Sequence, residues 1–358
     1  MKLPADIVDR LRDRYAARPV LVTGGAGFIG SHLTDALLDL GARVSVLDDL
    51  SAGLIANLSD RLESEPERLT FHHASVLDRE SLTVAIGGAH TVFHLAAVGS
   101  VQRSVEDPER TLAVNSTGTA RVLDAARHAK AHRVILASSS SVYGDAAPLP
   151  APETSAPRPR SPYAASKLAG EHLAAAWSST YGLDTLVLRY FNVFGPRQRA
   201  DTAYAAAIAA FATSVMEGRA PSIFGDGKQS RDFTPVANVV LGTLLAGAAE
   251  RRFEGEPVNL ALGRETTVDD LARAIAKALG KPELEPTHTE PRAGEVRHSR
   301  ADVTRAHELL GFEPFGSFDD ALAETARWYA ERDNPDPDNP DPNDMGSRAP
   351  GTPSETPR

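Results

Sequence analysis

The chain has 358 residues, with 38 Lys+Arg against 48 Asp+Glu, a formal charge of −10 and 42% hydrophobic residues. That length buries one large or two medium cores, and the absence of cysteine excludes disulfides, thiolate metal sites and cysteine nucleophiles. The acidic balance argues against nucleic acid or an anionic membrane as the main partner, while a local cationic site for an anionic small molecule stays compatible with it. No run reaches the roughly 18 apolar residues of a membrane span. The opening MKLPADIVDRLRDRY has no apolar signal core, so a cytoplasmic location is expected.

In chain order, PVLVTG (19–24), VSVLD (44–48), LTFHHA (69–74), TVFHLA (91–96), RVILAS (133–138) and TLVLRYF (185–191) read as buried strands. Helix-length patterns such as FIGSHLTDALLDLG and the stretch around VNSTGTARVLDAARHA lie between them. Strands alternating with helices predict an α/β fold, a doubly wound parallel sheet of Rossmann type. After about Asn192 the pattern loosens into Gly/Pro turns and shorter elements, which predicts a smaller α/β C-terminal region over the carboxyl edge of the sheet. The expected division is 18–190 mainly for cofactor and 191–330 mainly for substrate, with some crossing of the chain between them. Residues 333–358 hold seven prolines and six acidic residues with almost nothing apolar, which predicts a disordered tail.

The first strand runs straight into Gly24-Gly25-Ala26-Gly27-Phe28-Ile29-Gly30 and then a helix. Gly24 permits the tight turn, Gly27 lets backbone approach a pyrophosphate, and Gly30 lets helix and strand pack closely. Asp48 ends the next strand 18 residues beyond Gly30. A carboxylate there accepts from adenosine ribose hydroxyls and repels a 2′-phosphate, which selects NAD over NADP. Asp49, Ser51, Gly53, Val76, Leu95, Ala96 and Ala97 are assigned to the same cofactor.

Tyr163 and Lys167, four apart in YAASK, share one helix face. A phenol is a poor base near neutrality, and the adjacent ammonium, with the positive nicotinamide of oxidised cofactor, is expected to favour phenolate. Lys167 also has protons for the nicotinamide ribose. The strand at 133–138 ends in Ser138-Ser139-Ser140-Ser141-Val142-Tyr143-Gly144, hydroxyls suited to a substrate alcohol shared with Tyr163.

Together TGGAGFIG, HLAA (94–97), SSSSVYG, SPYAASK, RYFNVFGPRQ (189–198) and GDGKQSRDF (225–233) resemble the extended short-chain dehydrogenases/reductases, and within them the nucleotide-sugar epimerases and dehydratases, over residues 18–330. The resemblance implies Ser139, Tyr163 and Lys167 as the catalytic group, with Ser139 and Ser140 also beside the substrate. It implies Asn192 as a sugar-nucleotide contact, and Arg231 and Arg292 on the diphosphate and nucleotide, where a guanidinium fork suits phosphate oxygens. A homodimer paired through two long helices, one carrying Tyr163 and Lys167, is also implied.

The similar 4,6-dehydratases carry Thr-Asp-Glu where this chain has Ser139-Ser140-Ser141, so the acid pair for water elimination is missing. HLAAVGSVQRSVEDP (94–108) is similar to 4-epimerases of UDP-N-acetylhexosamines, and Ser299 matches a position resembling a size gate, where a small side chain admits an N-acetyl group. The expected activity is therefore an NAD-dependent UDP-sugar 4-epimerase acting on the GlcNAc/GalNAc or Glc/Gal pairs through a 4-keto sugar. Arg199 resembles an arginine of UDP-glucuronate 4-epimerases, which stands as the alternative. A non-catalytic NAD-binding regulator is a third. Ser75 replaces an Asp common at the adenine, and Asn238 replaces a common acidic residue. His94 is expected to pack beside the cofactor, and Asn115 either orders the active-site helix or is an ordinary buried Asn. No histidine pair has metal-ligand spacing.

Overall fold

The computed structural model describes residues 3–145, 147–199, 203–290 and 297–333. Seven parallel strands form the main sheet: β1 (Pro19–Thr23), β2 (Arg43–Asp48), β3 (Leu69–His73), β4 (Thr91–His94), β5 (Arg133–Ser139), β6 (Thr185–Tyr190) and β7 (Glu254–Leu260). Their order is β7-β6-β5-β4-β1-β2-β3, so the direction of winding reverses between β1 and β4. That reversal opens a crevice beyond the carboxyl ends of these strands, where doubly wound sheets bind ligands. Six of the seven strands are those read from apolar runs.

Both faces of the sheet are covered, which is why the inner strands β1, β4, β5 and β6 are buried almost throughout rather than in alternation. Helices α1 (Ala5–Tyr15), α2 (Phe28–Asp39) and α7 (Val236–Ala248) pack on Val20, Val22, Val44, Val46, Phe93 and Ile135. On the other face, α3 (Arg79–Ile86) and α4 (Gly118–His128) pack on Leu21, Leu47, Val92 and Val134. The alternation of Val20, Leu21 and Val22 between the two cores is the period-2 geometry of a strand. The 20-residue helix α5 (Pro162–Tyr181) crosses beside β5 and β6.

The seventh strand was not expected. Past Asn192 the chain leaves the sheet, builds α6 (Ala203–Met216), and returns through α7 to lay β7 beside β6. Helix α7, VANVVLGTLLAGA, is apolar all round and buried along most of its length, as a helix enclosed on every side must be. A second core gathers Phe194, Phe211, Ile223, Phe233, Leu271, Ile275 and Phe318 from α6, α8 (Val268–Ala278), α9 (Phe318–Asp333) and three two-stranded pairs. It sits over the crevice side of the sheet through the 192–198 and 230–233 segments. The expected disordered tail falls, beyond Asp333, outside the described residues. No helix among the described residues is long and apolar enough to cross a membrane.

Candidate active site

A cleft of about 1030 Å³ lies at the carboxyl ends of β1, β2, β4, β5 and β6. One half is built from backbone. Gly24 turns at φ +74, and a Cβ there would stand 2.7 Å from the Ala96 amide nitrogen. A Cβ on Gly30 would stand 2.1 Å from the Gly24 carbonyl oxygen, so β1 and α2 meet this closely only through glycine. Gly27, in extended conformation, precedes α2 and offers no side-chain cap, leaving the helix's first amides facing the cleft.

Asp48 is buried at the end of β2. Its Oδ2 accepts from the Ala26 amide at 2.9 Å and its Oδ1 from the Leu50 amide at 2.9 Å. Burial raises its pKa, and these amides oppose the rise. The carboxylate thus fixes the glycine loop to the 49–57 loop, which Leu54 and Asn57 fasten again by donating to the Ala26 carbonyl. Asp49 accepts from the Ser51 hydroxyl at 2.5 Å. Phe28, Ile29, Ser51, Gly53, Val76, Leu95, Ala96 and Ala97 line the cleft around this frame. Ser75 lines it too, its hydroxyl accepting from the Leu77 amide at 3.2 Å. Unfilled amides, glycines packed to backbone contact and a carboxylate at the next strand end form a cradle that fits a dinucleotide. Gly30→Ala should therefore leave the purified protein at least about ten-fold poorer in bound NAD, measured after acid release. A full NAD complement would mean the loop is not the pyrophosphate seat.

The other half carries the titratable groups. Ser161 and Pro162 start α5, with the Ser161 hydroxyl accepting from the Ala164 amide at 3.1 Å and Pro at a position that needs no donor. Tyr163 is therefore in the first turn, facing the end of β5. Its phenol hydrogen-bonds Ser139, which lowers a pKa that burial raises. Lys167, one turn on, donates to the Ala137 carbonyl at 2.9 Å, and burial brings its pKa down to about 8 against the opposing charge of Glu171. Lys167 was expected to pull the phenol toward phenolate. Its Nζ lies 5.9 Å from the Tyr163 ring centroid, and Ser139 opposes the effect of burial on the phenol.

Sequence spacing missed what supports these groups. Glu171, buried one turn beyond Lys167, accepts from Ser138 at 2.5 Å and from both Nε and Nη2 of Arg189 on β6 at 3.0 and 2.6 Å. With the Ser138 bond, this ion pair locks α5 to β5, which carries Ser139, and to β6, which Asn192 follows. Asn115 resolves in favour of ordering: it accepts from the Val98 amide at 2.7 Å and donates to Ser166 of α5 at 2.9 Å. His94 is buried among hydroxyls, Nδ1 at 2.7 Å from Thr23 and Nε2 at 3.0 Å from Thr119. Thr119 donates to the Asn115 carbonyl at 2.5 Å, so Nε2 must be the protonated nitrogen and Nδ1 accepts from Thr23. Burial, helped by Lys167, holds His94 near a pKa of about 3, a neutral strut rather than an acid.

The remaining predicted contacts cluster on the side of the second core. Asn192 lines the cleft at φ +25, a strained value for a residue with a Cβ, and its carbonyl accepts from the Thr234 amide at 3.1 Å. Arg231 is buried in the cleft wall, its Nη1 donating to the carbonyls of Ser230 and Arg297 at 2.8 and 3.3 Å. Ser299 is beside it, its amide bonded to the Ser230 carbonyl at 3.1 Å, and Ser140 also lines the cleft. Arg199 is exposed at the rim, 3.5 Å from the Ala52 carbonyl. Arg292 lies outside the described residues. The 195–199 loop is clasped to α2, with Arg197 on Asp35 at 2.8 Å and His32 donating to the Pro196 carbonyl at 3.0 Å. Asn238 cross-links Phe315 by accepting from its amide and donating to its carbonyl.

Residues 20–261 match the NAD-dependent epimerase/dehydratase family. The chain belongs to that family. Members similar to it include the UDP-glucose 4-epimerase of Mycolicibacterium smegmatis, 40% identical over 315 residues, which cover 87% of this chain and 98% of the relative. Among solved members, the UDP-N-acetylglucosamine 4-epimerase from Methanobrevibacter ruminantium M1, in complex with UDP-N-acetylmuramic acid, superposes with a TM-score of 0.81 at 36% identity, covering 88% of this chain and 99% of that one. The UDP-glucuronic acid 4-epimerase from Bacillus cereus, in complex with UDP-glucuronic acid and NAD, gives 0.78 at 31%, covering 87% and 99%. The family's dTDP-glucose 4,6-dehydratases and a UDP-N-acetylglucosaminuronate decarboxylase are similar as well, at 34% and 32% identity. Members solved with NAD bound make this an NAD-dependent fold with a nucleotide-sugar chemistry.

Proposed function

We propose that this protein is a UDP-sugar 4-epimerase, acting on the UDP-GlcNAc/UDP-GalNAc pair, the UDP-Glc/UDP-Gal pair, or both. The observation that carries the reading is Ser139-Ser140-Ser141 at the mouth of β5, beside Tyr163. Carboxylates among the described lining residues are Asp48, Asp49, Glu106 and Asp107, none of them on the segment that bears these hydroxyls. Expelling a sugar hydroxyl as water requires an acid there, whereas epimerisation requires only a proton acceptor and a place to turn the sugar.

When bound, NAD supplies an acceptor for the hydride of the sugar's C4 carbon and a donor for its return. Gly24, Gly27, Phe28, Ile29, Gly30, Asp48, Asp49, Ser51, Gly53, Val76 and Leu95–Ala97, with Lys167, would hold it. Tyr163 takes the proton of the C4 hydroxyl, with Ser139 hydrogen-bonded to the same phenol. Lys167, Asn115 and the Glu171–Arg189 pair keep that phenol in place. Arg231 holds the diphosphate while the 4-keto sugar turns over, and Asn192 meets the sugar nucleotide. A fixed anchor beside a mobile sugar lets one pocket address both faces of C4. On this reading 18–190 mainly serves the cofactor and 191–330 mainly the sugar nucleotide.

Ser299, small and adjacent to Arg231, leaves space for an N-acetyl group. Arg199 keeps UDP-glucuronate in play as the second substrate class, because a cation lines the same cleft. We also infer a homodimer across the face that bears Val101, Val105 and Leu112, apolar side chains left 48%, 65% and 45% exposed on short helices packed against α5. Sedimentation should give twice the chain mass.

The test is proton NMR of the purified protein, without added NAD, incubated separately with UDP-GlcNAc, UDP-Glc and UDP-GlcA. The C4 epimer of UDP-GlcNAc or UDP-Glc is the expected product. Turnover of UDP-GlcA alone would transfer the specificity to Arg199. No epimer of any, with NAD supplied, would overturn the reading.

A further inference from the structure

One carboxylate at the mouth of the cleft joins two distant parts of the chain. Asp35 lies on α2, on the helix face that begins at the cleft with Phe28 and continues through His32. Its Oδ2 accepts from Arg197 Nη1 at 2.8 Å, and its Oδ1 from Arg61 Nε at 3.1 Å. Arg61 also donates to Asp39, one turn further along α2, at 2.6 Å. Arg197 belongs to the 193–199 segment, and Arg61 to the short helix Ser59–Ser64 that follows the 49–57 loop. Both segments line the cleft, the first through Val193, Arg197 and Gln198, the second through Gly53, Leu54 and Asn57. The 193–199 segment is under strain. Asn192 at its entry and Arg197 within it have φ of +25 and +66, and a residue with a Cβ keeps such values only where its surroundings impose them. Besides Asp35, His32 holds this segment by donating to the Pro196 carbonyl at 3.0 Å, and Tyr329 of α9 by donating to the Gln198 carbonyl at 2.8 Å.

We propose that Asp35 is a positioning residue that fastens the 193–199 segment to the 49–57 loop across the mouth of the cleft, a strap that keeps NAD from leaving between turnovers. The inference rests on the glycine cradle at the start of α2 being the NAD site. In an epimerase the hydride returns to the sugar it came from, so release of the cofactor serves no step of the reaction. Parting the two segments requires Asp35 to let go of at least one arginine. His32 adds no second ionic fastening. Burial brings its pKa down to about 4, so its imidazole donates to Pro196 as a neutral group near pH 7. The charge in the strap is therefore that of Asp35 with Arg197 and Arg61. These side chains are 21%, 28% and 27% exposed, wet enough for salt to compete with the pairs and dry enough for the pairs to matter.

The experiment follows the cofactor rather than turnover. Holoenzyme is mixed with an excess of isotopically labelled NAD, and the loss of unlabelled NAD from the protein is timed by mass spectrometry after rapid gel filtration. Wild type should exchange about five-fold faster in about 1 M KCl than in about 0.05 M, because salt screens the clasp. Asp35→Asn, which offers neither arginine a charge, should exchange about five- to ten-fold faster than wild type at low salt, the worth of two partly exposed ion pairs. Added salt should then change its rate by less than about two-fold. Arg197→Met should reproduce most of this, the double variant should match Asp35→Asn alone, and Arg197→Lys should restore the response to salt. Should Asp35→Asn fail to fold, Arg197→Met and Arg197→Lys carry the same comparison. A wild-type exchange rate in Asp35→Asn, a salt response that survives the substitution, or a double variant faster than Asp35→Asn would overturn the strap and leave the NAD site standing. A wild-type protein that neither holds nor takes up NAD would overturn the site and the strap together.

Discussion

Tyr163→Phe is expected to lower UDP-sugar turnover by about 10²–10⁴-fold, the range of a positioned acid–base group. NAD content, solubility and KM should stay close to wild type. The phenol oxygen makes its hydrogen bond with Ser139, and the surroundings of the ring are fixed independently, by the Ser161 cap, by Ser166 donating to the Tyr163 carbonyl at 2.7 Å, and by Asn115 donating to Ser166. Removing one oxygen therefore takes away the proton acceptor without loosening the helix that carries it. Single-turnover reduction of the bound cofactor by a UDP-sugar is the sharper measurement, since it isolates the first half of the reaction. A variant with full activity would show that another group accepts the proton.

The largest expected stability effect lies at the opposite edge of the sheet. Arg133, at the start of β5, is fully buried. One guanidinium nitrogen donates to the carbonyls of Ala246 and Ala249 at 3.0 and 2.7 Å, the other to Asp184 at 2.7 Å and to the Arg251 carbonyl at 2.5 Å. The group also lies 4.9 Å from the centre of the Phe253 ring. It therefore caps the last turn of α7 and neutralises a buried carboxylate at once. Arg133→Met leaves Asp184 buried without its cation and should cost about 3–5 kcal/mol in denaturant unfolding. Adding Asp184→Asn should recover part of that loss, because the uncompensated charge is then gone. A loss under about 1 kcal/mol would mean that water reaches the pair. Turnover per bound NAD should be unchanged in the folded fraction, since Arg133 and the cleft lie at opposite ends of the strands.

The first six strands and the gathering of the glycine turn, the serine run, Tyr163 and Lys167 in one cleft were legible because each rests on short-range rules. A strand buried on both faces is a run of β-branched and aliphatic residues, as in VLV or VIL. A glycine turn needs glycines at fixed offsets, and Tyr163 and Lys167 share a face because they are one helical turn apart. The seventh strand failed the same test. EGEPVNL begins with two acids, a glycine and a proline, and its register breaks between Glu254 and Pro257. Arg189 was read only as part of a motif, and its pairing with Glu171 was invisible because the two stand 18 positions apart, across a helix end, a turn and a strand. Ser141 was read as one of four hydroxyls; its bond to Ser139 depends on a turn that spacing alone does not specify. The four-residue spacing gives a shared face, but not that the ammonium would reach down to the Ala137 carbonyl.

The position of β7 bears on how the chain can be made. β6 is flanked by β5 on one side, and its other side is filled only when residues 254–260 arrive. During synthesis TLVLRY therefore has an open flank while more than 60 further residues are added, a row of bare amides and carbonyls on an apolar strand of the kind that pairs with a neighbour chain. The strand that closes it ends the sheet safely. Its leading acids, its register break and Pro257 make poor templates for another strand. A fragment stopped at Tyr190 would carry every glycine and hydroxyl of the cofactor half, yet expose the stickiest rim of the sheet; the nascent chain becomes safe from its own kind only once Leu260 has been joined to it.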